Sequence, residues 1–508
     1  MKRRQLIKSG LLGLSSLSLF SLSGCGREEN AQIIRVGITS RPRMLDPRKA
    51  TDALSSRINR LIYRQLIDFD ESFQPIPDLA SWQQLSPTHY RFTLNEFPNF
   101  HHGRALSVHD VVATYQSVLD PDFGSAHKGS LKGIKEIVAV NDQQIDFILS
   151  AEDALFVGRL VIGIVPKDII EQDYVLHEKP IGCGVCEFIS LTEQKLVLKR
   201  LNDQVELDFI PVKDATVRVL KLQKGELDII QNDLSPELVN YCQNQSGFKV
   251  QWYAGTNFGY IGFNFEDELL AQPALRQAIA HGIDRQAIVD AMFDGHARLA
   301  GGLLVPEHWS GAEDIPAYEY NPMKAKSLLS QVKVPAELMQ KDANNQPVIE
   351  LSYKTSNDPT RIRLATIYQS QLKEIGIHLN IQSYDWGTFY SDIKKGRFQL
   401  YSLAWVGIKS PDIFQYVFDS VAIPPNGANR GRYRDEIADN LIRTAGKTPS
   451  VTEQAKLYQQ LQHRLQETLA IMPLWYEDQY SVMRSNMSGY QLYADGRLDG
   501  LLKVQKTV

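Results

Sequence analysis

Two closely spaced cysteines are the first residues of this 508-residue sequence whose types and spacing could carry chemistry. Cys183 and Cys186 are separated by one glycine and one valine. A C-x-x-C pair can close a disulfide, exchange thiols with another protein or supply two metal ligands. The residue directly after Cys186 is not histidine, which argues against covalent haem attachment, and no second C-x-x-C completes a zinc site. The pair is predicted to form a structural disulfide or to place two small residues in a tight turn, and Cys242 adds an odd thiol.

Three histidines lie within nine residues, at His101, His102 and His109. Imidazole is a common zinc ligand, but this spacing fits no helical ligand pair, and no cysteine or carboxylate cluster completes the set. We predict a solvated turn here and expect no metal or other cofactor. The chain also lacks the H-E-x-x-H, G-x-S-x-G and G-x-x-x-x-G-K motifs of zinc proteases, serine hydrolases and phosphate-binding loops. The sequence therefore favours a protein that is not an enzyme.

The composition is that of a globular protein, because 43% of the residues are hydrophobic and 22% are charged. The formal net charge is −4. A mildly acidic chain lacks the basic surface that nucleic-acid binding requires, so nucleic acid is not expected as a partner.

The N-terminal residues have the pattern of an export signal. Four basic residues among the first eight precede an apolar run at residues 11–22, which is too short to span a bilayer as a helix. Cys25 follows a Leu-Ser-Gly sequence that resembles a lipobox, so residues 1–24 are predicted to be a signal peptide and residues 25–31 a lipidated tether. Two acyl chains on Cys25 would hold the protein stably at a membrane. The arginine pair near the start is compatible with twin-arginine export and with general secretion.

Hydrophobic periodicity then predicts an α/β protein. Residues 260–265 alternate between apolar and small or polar types, as in a strand, and Pro273 marks the start of a helix. Residues 349–353, 361–375 and 377–386 have the patterns of a strand, a helix and a strand, which together make a βαβ unit. The apolar residues 154–166 are predicted to form a buried strand and a turn.

A series of short motifs runs through the chain in a characteristic order. The motifs are an L-D-P turn, a P-D-L-A-S-W segment, an F-H-H-G turn, a glycine-rich loop, a strand ending in A-W and a P-L-W-Y segment, at residues 45–47, 77–82, 100–103, 179–188, 398–405 and 473–476. This series resembles the solute-binding proteins of ABC importers, family 5, which bind peptides, nickel complexes and related solutes. The resemblance covers essentially everything from Ile33 onward.

The resemblance implies a periplasmic-binding-protein fold of type II, in which two hinged lobes with mixed sheets close on a solute. Lobe I is expected to comprise residues 32–54, 176–262 and 473–508. Residues 55–175 would form an extra α/β subdomain of lobe I, and residues 263–472 would form lobe II.

The resemblance also implies which residues border the solute. The loop after the first strand borders the cleft, and Trp405 lies at its floor. In peptide-binding members an aspartate shortly after this tryptophan pairs with the α-amino group of the peptide, whereas this chain has Ile408 there. Asp412 could serve instead only if the loop folds differently. The ligand-binding residues are predicted to be Arg41, Tyr401, Trp405, Gly407, Ile408, Asp412 and Trp475.

We therefore expect a solute-binding lipoprotein of an ABC importer, which captures peptides or a peptide-like solute and delivers them to a membrane permease and its ATPase. It would be exported to the periplasm as a monomer and held at the membrane by its lipid. The alternative is a lipoprotein that binds a nickel chelate, haem or another non-peptide solute, or one with a sensor or chaperone role without import.

Overall fold

The computed structural model describes residues 33–172, 174–341 and 347–507. The predicted signal peptide, Cys25 and the tether lie outside these residues. The strands are β1 (Ile33–Ile38), β2 (Ile67–Phe69), β3 (Pro75–Pro77), β4 (Ala80–Ser86), β5 (His89–Leu94), β6 (Ile134–Ala139), β7 (Gln144–Leu149), β8 (Cys186–Leu191), β9 (Leu196–Arg200), β10 (Glu206–Pro211), β11 (Ile229–Gln231), β12 (Phe248–Phe263), β13 (Ala297–Leu299), β14 (Met339–Lys341), β15 (Pro347–Ser356), β16 (Ile377–Tyr384), β17 (Leu400–Trp405), β18 (Ile471–Arg484), β19 (Met487–Ser488) and β20 (Gln505–Lys506).

The α-helices are α1 (Ala53–Ile62), α2 (Val108–Leu119), α3 (Lys128–Leu131), α4 (Lys167–Glu171), α5 (Ala215–Gln223), α6 (Pro236–Gln243), α7 (Pro273–Gly282), α8 (Arg285–Phe293), α9 (Pro322–Leu329), α10 (Pro359–Glu374), α11 (Trp386–Lys395), α12 (Ile413–Phe418), α13 (Glu436–Ala445) and α14 (Val451–Thr468). None of these helices is both long enough and apolar enough to cross a membrane.

One large mixed sheet runs through the molecule. Its strands lie in the order β14-β15-β17-β12-β18-β11-β1-β10-β9-β8, with β13 beside β18 and β16 beside β15. Parallel pairs, such as β1 with β10, occur beside antiparallel pairs, such as β12 with β18. We call β1 and β8–β11 the first half-sheet and β14–β17 the second half-sheet. The long strands β12 and β18 lie between the two halves and connect them.

The register between β12 and β18 shifts between Tyr253 and Asn257. Before the shift β18 pairs with β11, and from Phe258 onward β12 pairs with β17. The two strands approach closely at this point, because a Cβ atom on Gly255 would lie 2.1 Å from the carbonyl oxygen of Glu477. The shift is therefore a local irregularity at the place where the neighbours of the two strands change from one half-sheet to the other.

The second half-sheet contains the predicted βαβ unit. Strands β15 and β16 pair in parallel over eight positions, and α10 connects them. Asp358 caps α10 by accepting the backbone N–H of Arg361 at 3.0 Å, and Pro359 occupies the first turn. The predicted strand at residues 260–265 is confirmed by β12 as far as Phe263, and the helix that begins at Pro273 is confirmed by α7.

A separate four-stranded antiparallel sheet, in the order β4-β5-β7-β6, covers its own apolar core together with α2. The carboxylate of Asp110 accepts the backbone N–H and the hydroxyl of Ser107 at the start of α2, both at 2.8 Å. Asp110 also accepts the guanidinium of Arg104 at 2.6 Å, so the helix start is fixed to the preceding turn.

Residues 154–166 do not form the predicted strand. They contain one short 3₁₀ turn, at Val157–Arg159, and otherwise irregular backbone. Most of the apolar side chains are buried as expected, although Val161 is exposed. However, Ile164 donates its N–H to the carbonyl of Arg64 and Val165 donates to the hydroxyl of Thr114. These isolated hydrogen bonds take the place of the regular backbone pairing of a sheet.

Candidate ligand-binding cleft

Two adjoining cavities lie between the first half-sheet and the elements of the second. The smaller cavity has a volume of about 550 Å³ and the larger cavity about 840 Å³, and both sizes are typical of sites for small solutes. Ala53 and Arg57 of α1 line both cavities, as does Val406 in the loop after β17. These three residues therefore mark the junction of the two cavities.

Helix α1 brings Ala53 and Arg57 to this junction. Asp52 caps the helix by accepting the backbone N–H of Ser55 at 3.0 Å. Ala53 and Arg57 are four residues apart and lie on one face of the helix, while Ile58 and Ile62 on another face are buried in the core. The cap and the buried face together fix the direction in which Arg57 leaves the helix.

The loop after β17 forms one wall of the larger cavity, through Val406, Gly407 and Ile408. Gly407 has a φ of +69°, a conformation that L-residues with a side chain rarely adopt. No atom lies within 4 Å of the place where its Cβ would be. The turn therefore requires glycine for its backbone conformation, and the space beside it is open.

Two tryptophans give the larger cavity an aromatic wall. The guanidinium of Arg430 lies 4.8 Å from the ring centroid of Trp405, and Tyr416 meets that ring edge-on at 6.2 Å. Trp386 is 55% exposed and stacks on Tyr390 at 5.5 Å, with an angle of 8° between the rings. The exposed indole offers a flat apolar surface to a solute.

Ion pairs neutralise most of the charges around the larger cavity. Asp412 accepts from Arg159 at 2.8 Å, and Lys409 lies 2.8 Å from the carboxylate of Asp495. Burial favours the neutral form of Asp495, but Lys409 and Arg497 outweigh this effect and hold its pKa at about 2. Asp412 thus shares the guanidinium of Arg159 with Asp153, so an ammonium group would have to compete with this ion pair.

A strained turn forms part of the wall of the smaller cavity. Asn232 and Asp233 have φ values of 58° and 59°, in the left-handed region. The side chain of Asn232 donates to Gln479 at 2.7 Å and accepts the backbone N–H of Tyr480 at 3.0 Å, which holds the turn in place. Strained residues of this kind are concentrated at functional sites.

Trp252 and His296 stack face to face in the same wall, with ring centroids 3.4 Å apart and an angle of 3°. Trp252 belongs to β12 and also contacts Tyr480 of β18 at 4.9 Å. His296 lies between α8 and β13, so this stack joins the connecting strands to the region that follows α8.

The structure brings four of the seven predicted ligand-binding residues to the larger cavity. Trp405, Gly407, Ile408 and Asp412 line it. Arg41 does not line either cavity, because its guanidinium pairs with Glu193 at 2.6 Å near the surface.

Tyr401 and Trp475 are core residues, contrary to the prediction that they border the solute. Their side chains are 2% and 1% exposed. Tyr401 packs edge-on against Phe398 at 4.7 Å, and Trp475 packs against Phe293 at 5.1 Å. Tyr401 lies in one apolar core cluster and Trp475 in another, so the packing around β17 and β18 encloses both side chains.

Several lining residues were not predicted from the sequence. They are Arg57, Trp386, Asn232, Asp233 and His296. Of these residues, Arg57 was the one that the sequence could have indicated, because it lies one helical turn after the loop that was expected to border the cleft.

The predicted disulfide is not present, because Cys183, Cys186 and Cys242 are free and buried. Cys183 packs in the core under the four-stranded sheet, whereas Cys186 packs in the core of the first half-sheet. The loop between them passes against α1, where a Cβ on Gly184 would lie 2.5 Å from backbone atoms. Burial raises the pKa of the Cys183 thiol to about 11 and that of the Cys186 thiol to about 12, so both stay protonated.

His101 and His102 lie in separate contacts. The ring of His101 lies 3.1 Å from the carbonyl oxygen of Gly184, and His102 lies 3.3 Å from Asp168. In the part of the chain that the structure describes, no three His, Cys, Asp or Glu side chains form a group that could hold a metal ion.

Comparison with known proteins identifies the family. The model of bacterial extracellular solute-binding proteins, family 5 Middle, matches residues 74–422. A probable di/tripeptide-binding protein 5 of Pseudomonas aeruginosa is 29% identical over 481 residues, which cover 86% of this chain and 89% of that protein. The oligopeptide-binding protein AppA of Bacillus subtilis is 26% identical over 541 residues, with 97% of each chain covered.

Solved structures share the fold. NikZ from Campylobacter jejuni, in complex with Ni(L-His), superposes with a TM-score of 0.80 at 22% identity, covering 94% of this chain and 100% of that one. This likeness confirms the predicted type II periplasmic-binding-protein fold. Because the family model matches more than half of the sequence, the chain belongs to the bacterial extracellular solute-binding proteins of family 5.

Proposed function

We propose that this protein captures peptides, or a peptide-like solute, in the two adjoining cavities and delivers them to the permease of an ABC importer. The observation that carries the proposal is the pair of cavities between two half-sheets that β12 and β18 connect. A cleft between two bodies joined by two strands suits a binding protein that opens and closes.

The relatives favour a peptide as the solute. The two relatives named above are called di/tripeptide-binding and oligopeptide-binding proteins. The cavities combine aromatic surface, such as Trp386, with exposed polar groups, such as Asp233, and this mixture suits a solute with both side chains and a polar backbone.

We further propose a hinge near Gly255 rather than near Gly262. The sequence predicted that the chain crosses between lobes at residues 262–263 and 472–473. Strand β12 already pairs with the second half-sheet from Phe258 onward, and its register shift lies opposite Glu477. We therefore assign the lobe boundaries to this irregularity, and keep residues 55–175 as a subdomain of lobe I.

Ion pairs would then join the two lobes. Lys409 pairs with Asp495, Asp412 pairs with Arg159, and Arg363 pairs with Glu237 at 2.6 Å. Opening of the cleft would separate all three, so we infer that the described conformation corresponds to the closed state.

A non-peptide solute, such as a nickel chelate or haem, is the second candidate. It is favoured by one observation: Ile408 stands where peptide-binding members carry the aspartate that pairs with the amino group, and Asp412 is occupied by Arg159.

In either case we propose export to the periplasm with Cys25 as a lipid anchor, and a monomeric protein.

The solute that co-purifies with the protein tests the two candidates. The full chain would be exported with Cys25→Ser, purified without denaturation and examined by native mass spectrometry, followed by denaturation and identification of the released molecule. Released peptides would support the proposal. A released chelate or tetrapyrrole would favour the second candidate. If nothing is released, and refolded protein binds no member of a mixture of di- to pentapeptides, the peptide proposal is wrong.

A further inference from the structure

We propose that Arg57 binds an anionic group of the solute, most simply a carboxylate, at the junction of the two cavities. The inference rests on the proposed function, in that it requires the solute to occupy these cavities. It adds a charge requirement for the solute and names the residue that imposes it.

The position of Arg57 makes it accessible to a solute in either cavity. It lines both of them, and its side chain is half-buried. One side of the guanidinium is bounded by the backbone of the C-terminal segment, because a Cβ on Gly496 would lie 2.6 Å from Nη2 of Arg57. The side chain therefore cannot withdraw in that direction and remains at the cavity wall.

The other cations that line the larger cavity all have carboxylate partners. The four distances are 2.9 Å for Arg60 to Asp68, 2.8 Å for Arg159 to Asp412, 2.8 Å for Lys409 to Asp495 and 3.5 Å for Arg497 to Asp495. Arg57 has no carboxylate oxygen within 4.0 Å among residues 33–172, 174–341 and 347–507. It is the lining cation of this cavity that lacks a counter-ion within the described chain.

Backbone carbonyls do not replace that counter-ion. The buried guanidinium of Arg218 donates to three carbonyls, those of Val212, Lys213 and Asp233. The guanidinium of Arg57 makes one long hydrogen bond, from Nη2 to the carbonyl oxygen of Asp495 at 3.4 Å. Most of its five donors are therefore available to a ligand.

A carboxylate fits this site better than a neutral acceptor. Burial lowers the pKa of Arg57, and the charges of Asp233 and Asp495 offset this effect only in part. An anion beside the guanidinium would offset the remaining cost of burying its charge. The planar fork of arginine also matches a carboxylate with two parallel hydrogen bonds. With the carboxylate at the junction, the rest of the solute would extend along Trp386 and Trp405 in the larger cavity.

Paired peptides provide the test. Ligand-free protein, prepared by denaturation and refolding of the full chain, would be offered an equimolar mixture of tri- to pentapeptides, each as the free C-terminal acid and as the C-terminal amide. Native mass spectrometry counts the bound forms. The wild-type protein is compared with Arg57→Gln, and with Arg434→Gln, which changes an exposed arginine that lines neither cavity.

We expect the wild-type protein and Arg434→Gln to bind acids at least tenfold more tightly than the matching amides. Arg57→Gln should lose this preference while it still binds the amides as the wild-type protein does. Equal binding of acids and amides by the wild-type protein would overturn the proposal, as would a preference that survives in Arg57→Gln. Failure of the wild-type protein to bind either form would instead contradict the peptide function itself.

Discussion

Most charged residues around the larger cavity form ion pairs within the protein, so few of them are available to bind a solute. Asp412 and Lys409 follow the same strand, β17, and each forms an ion pair with a residue distant in sequence, Arg159 and Asp495. A paired charge is a poor ligand contact, because a new partner must first displace the old one. The available contacts in this cavity are therefore aromatic and apolar surfaces, together with Arg57.

Replacement of Asp495 by asparagine should reduce stability in a pH-dependent way. Its folded pKa of about 2 lies below the usual value of 3.8, so its contribution is full at neutral pH and is lost as the pH falls from about 4 through 2. The difference of almost two pH units corresponds to about 2 kcal/mol. Urea denaturation at pH 7 should show Asp495→Asn destabilised by about this amount, and by roughly half of it at pH 3.

The control for this experiment is Asp142→Asn, which changes an exposed turn between β6 and β7 and should leave stability unchanged. A destabilisation by Asp495→Asn that is the same at pH 7 and pH 3 would contradict the assignment of a depressed pKa.

Ile408 should make the protein indifferent to a free amino terminus. An ammonium group buried without a carboxylate partner costs several kcal/mol, and Asp412 is engaged by Arg159. Calorimetric titration should therefore show an N-acetylated peptide binding at least as tightly as its free form. The matched variant Ile408→Asp should reverse this order, with a gain of tenfold or more for the free form, which is about 1.4 kcal/mol. Tenfold tighter binding of the free form by the wild-type protein would contradict the prediction.

Part of the site could be predicted from residue types alone. Trp405 and Ile408 were found because they stand in a motif that follows a strand, and the strand end does reach the larger cavity. Tyr401 and Trp475 were assigned to the site because they are aromatic residues in similar motifs, yet both are buried. The sequence of a strand does not specify which of its residues meet another element and which meet the cavity. Arg57 was missed because the lack of a counter-ion is visible only in three dimensions.

At the scale of single elements, the register shift in β12 is the feature that sets the geometry between the half-sheets. Gly255 should tolerate no side chain there, because its Cβ would lie 2.1 Å from a backbone oxygen that cannot rotate away. Gly255→Ala should lower the free energy of unfolding by about 1–3 kcal/mol, as overpacking does elsewhere. Urea denaturation measures this change.

The control variant is Gly247→Ala, just before β12, where no atom lies within 4 Å of the added methyl group. It should change stability by less than about 0.5 kcal/mol. Equal stabilities of the two variants would show that the strands can separate at this point without cost.

Elements with strong periodicity were predicted well. Helix α10 and strand β16 lie within a few residues of their predicted bounds because both have an apolar face that a single partner layer covers. Residues 154–166 were predicted wrongly, since an apolar segment is buried equally well as a strand or as irregular backbone whose donors find scattered partners such as Thr114.

For the whole molecule, solute binding should bring the lobes together. Without solute, the closed form would be held in part by the three ion pairs named above, which are weak where they are exposed, as in Arg363 with Glu237. Small-angle scattering of ligand-free protein should give a larger radius of gyration than the same protein with a saturating solute. An unchanged radius at saturation would argue against hinged closure.

Cys25 should determine where the whole protein resides. Its position after the apolar run predicts lipidation, so Cys25→Ser should move the protein from the membrane fraction to the soluble fraction after cell breakage. The buried Cys242 supplies the control, because Cys242→Ala should leave the distribution as it was. Continued membrane association of Cys25→Ser would disprove the lipid anchor.

The position of β18 also has a consequence for the order of folding during synthesis. This strand lies between β11 and β12, although it comes more than 200 residues after them. Until it leaves the ribosome, β11 and β12 each expose a strand edge, while β15–β17 and the helices between them are already complete. The middle of the chain can therefore fold first, and the N-terminal part must be kept from aggregation until β18 has been synthesised. A message cut short before residue 471 would yield a chain that cannot close its central sheet.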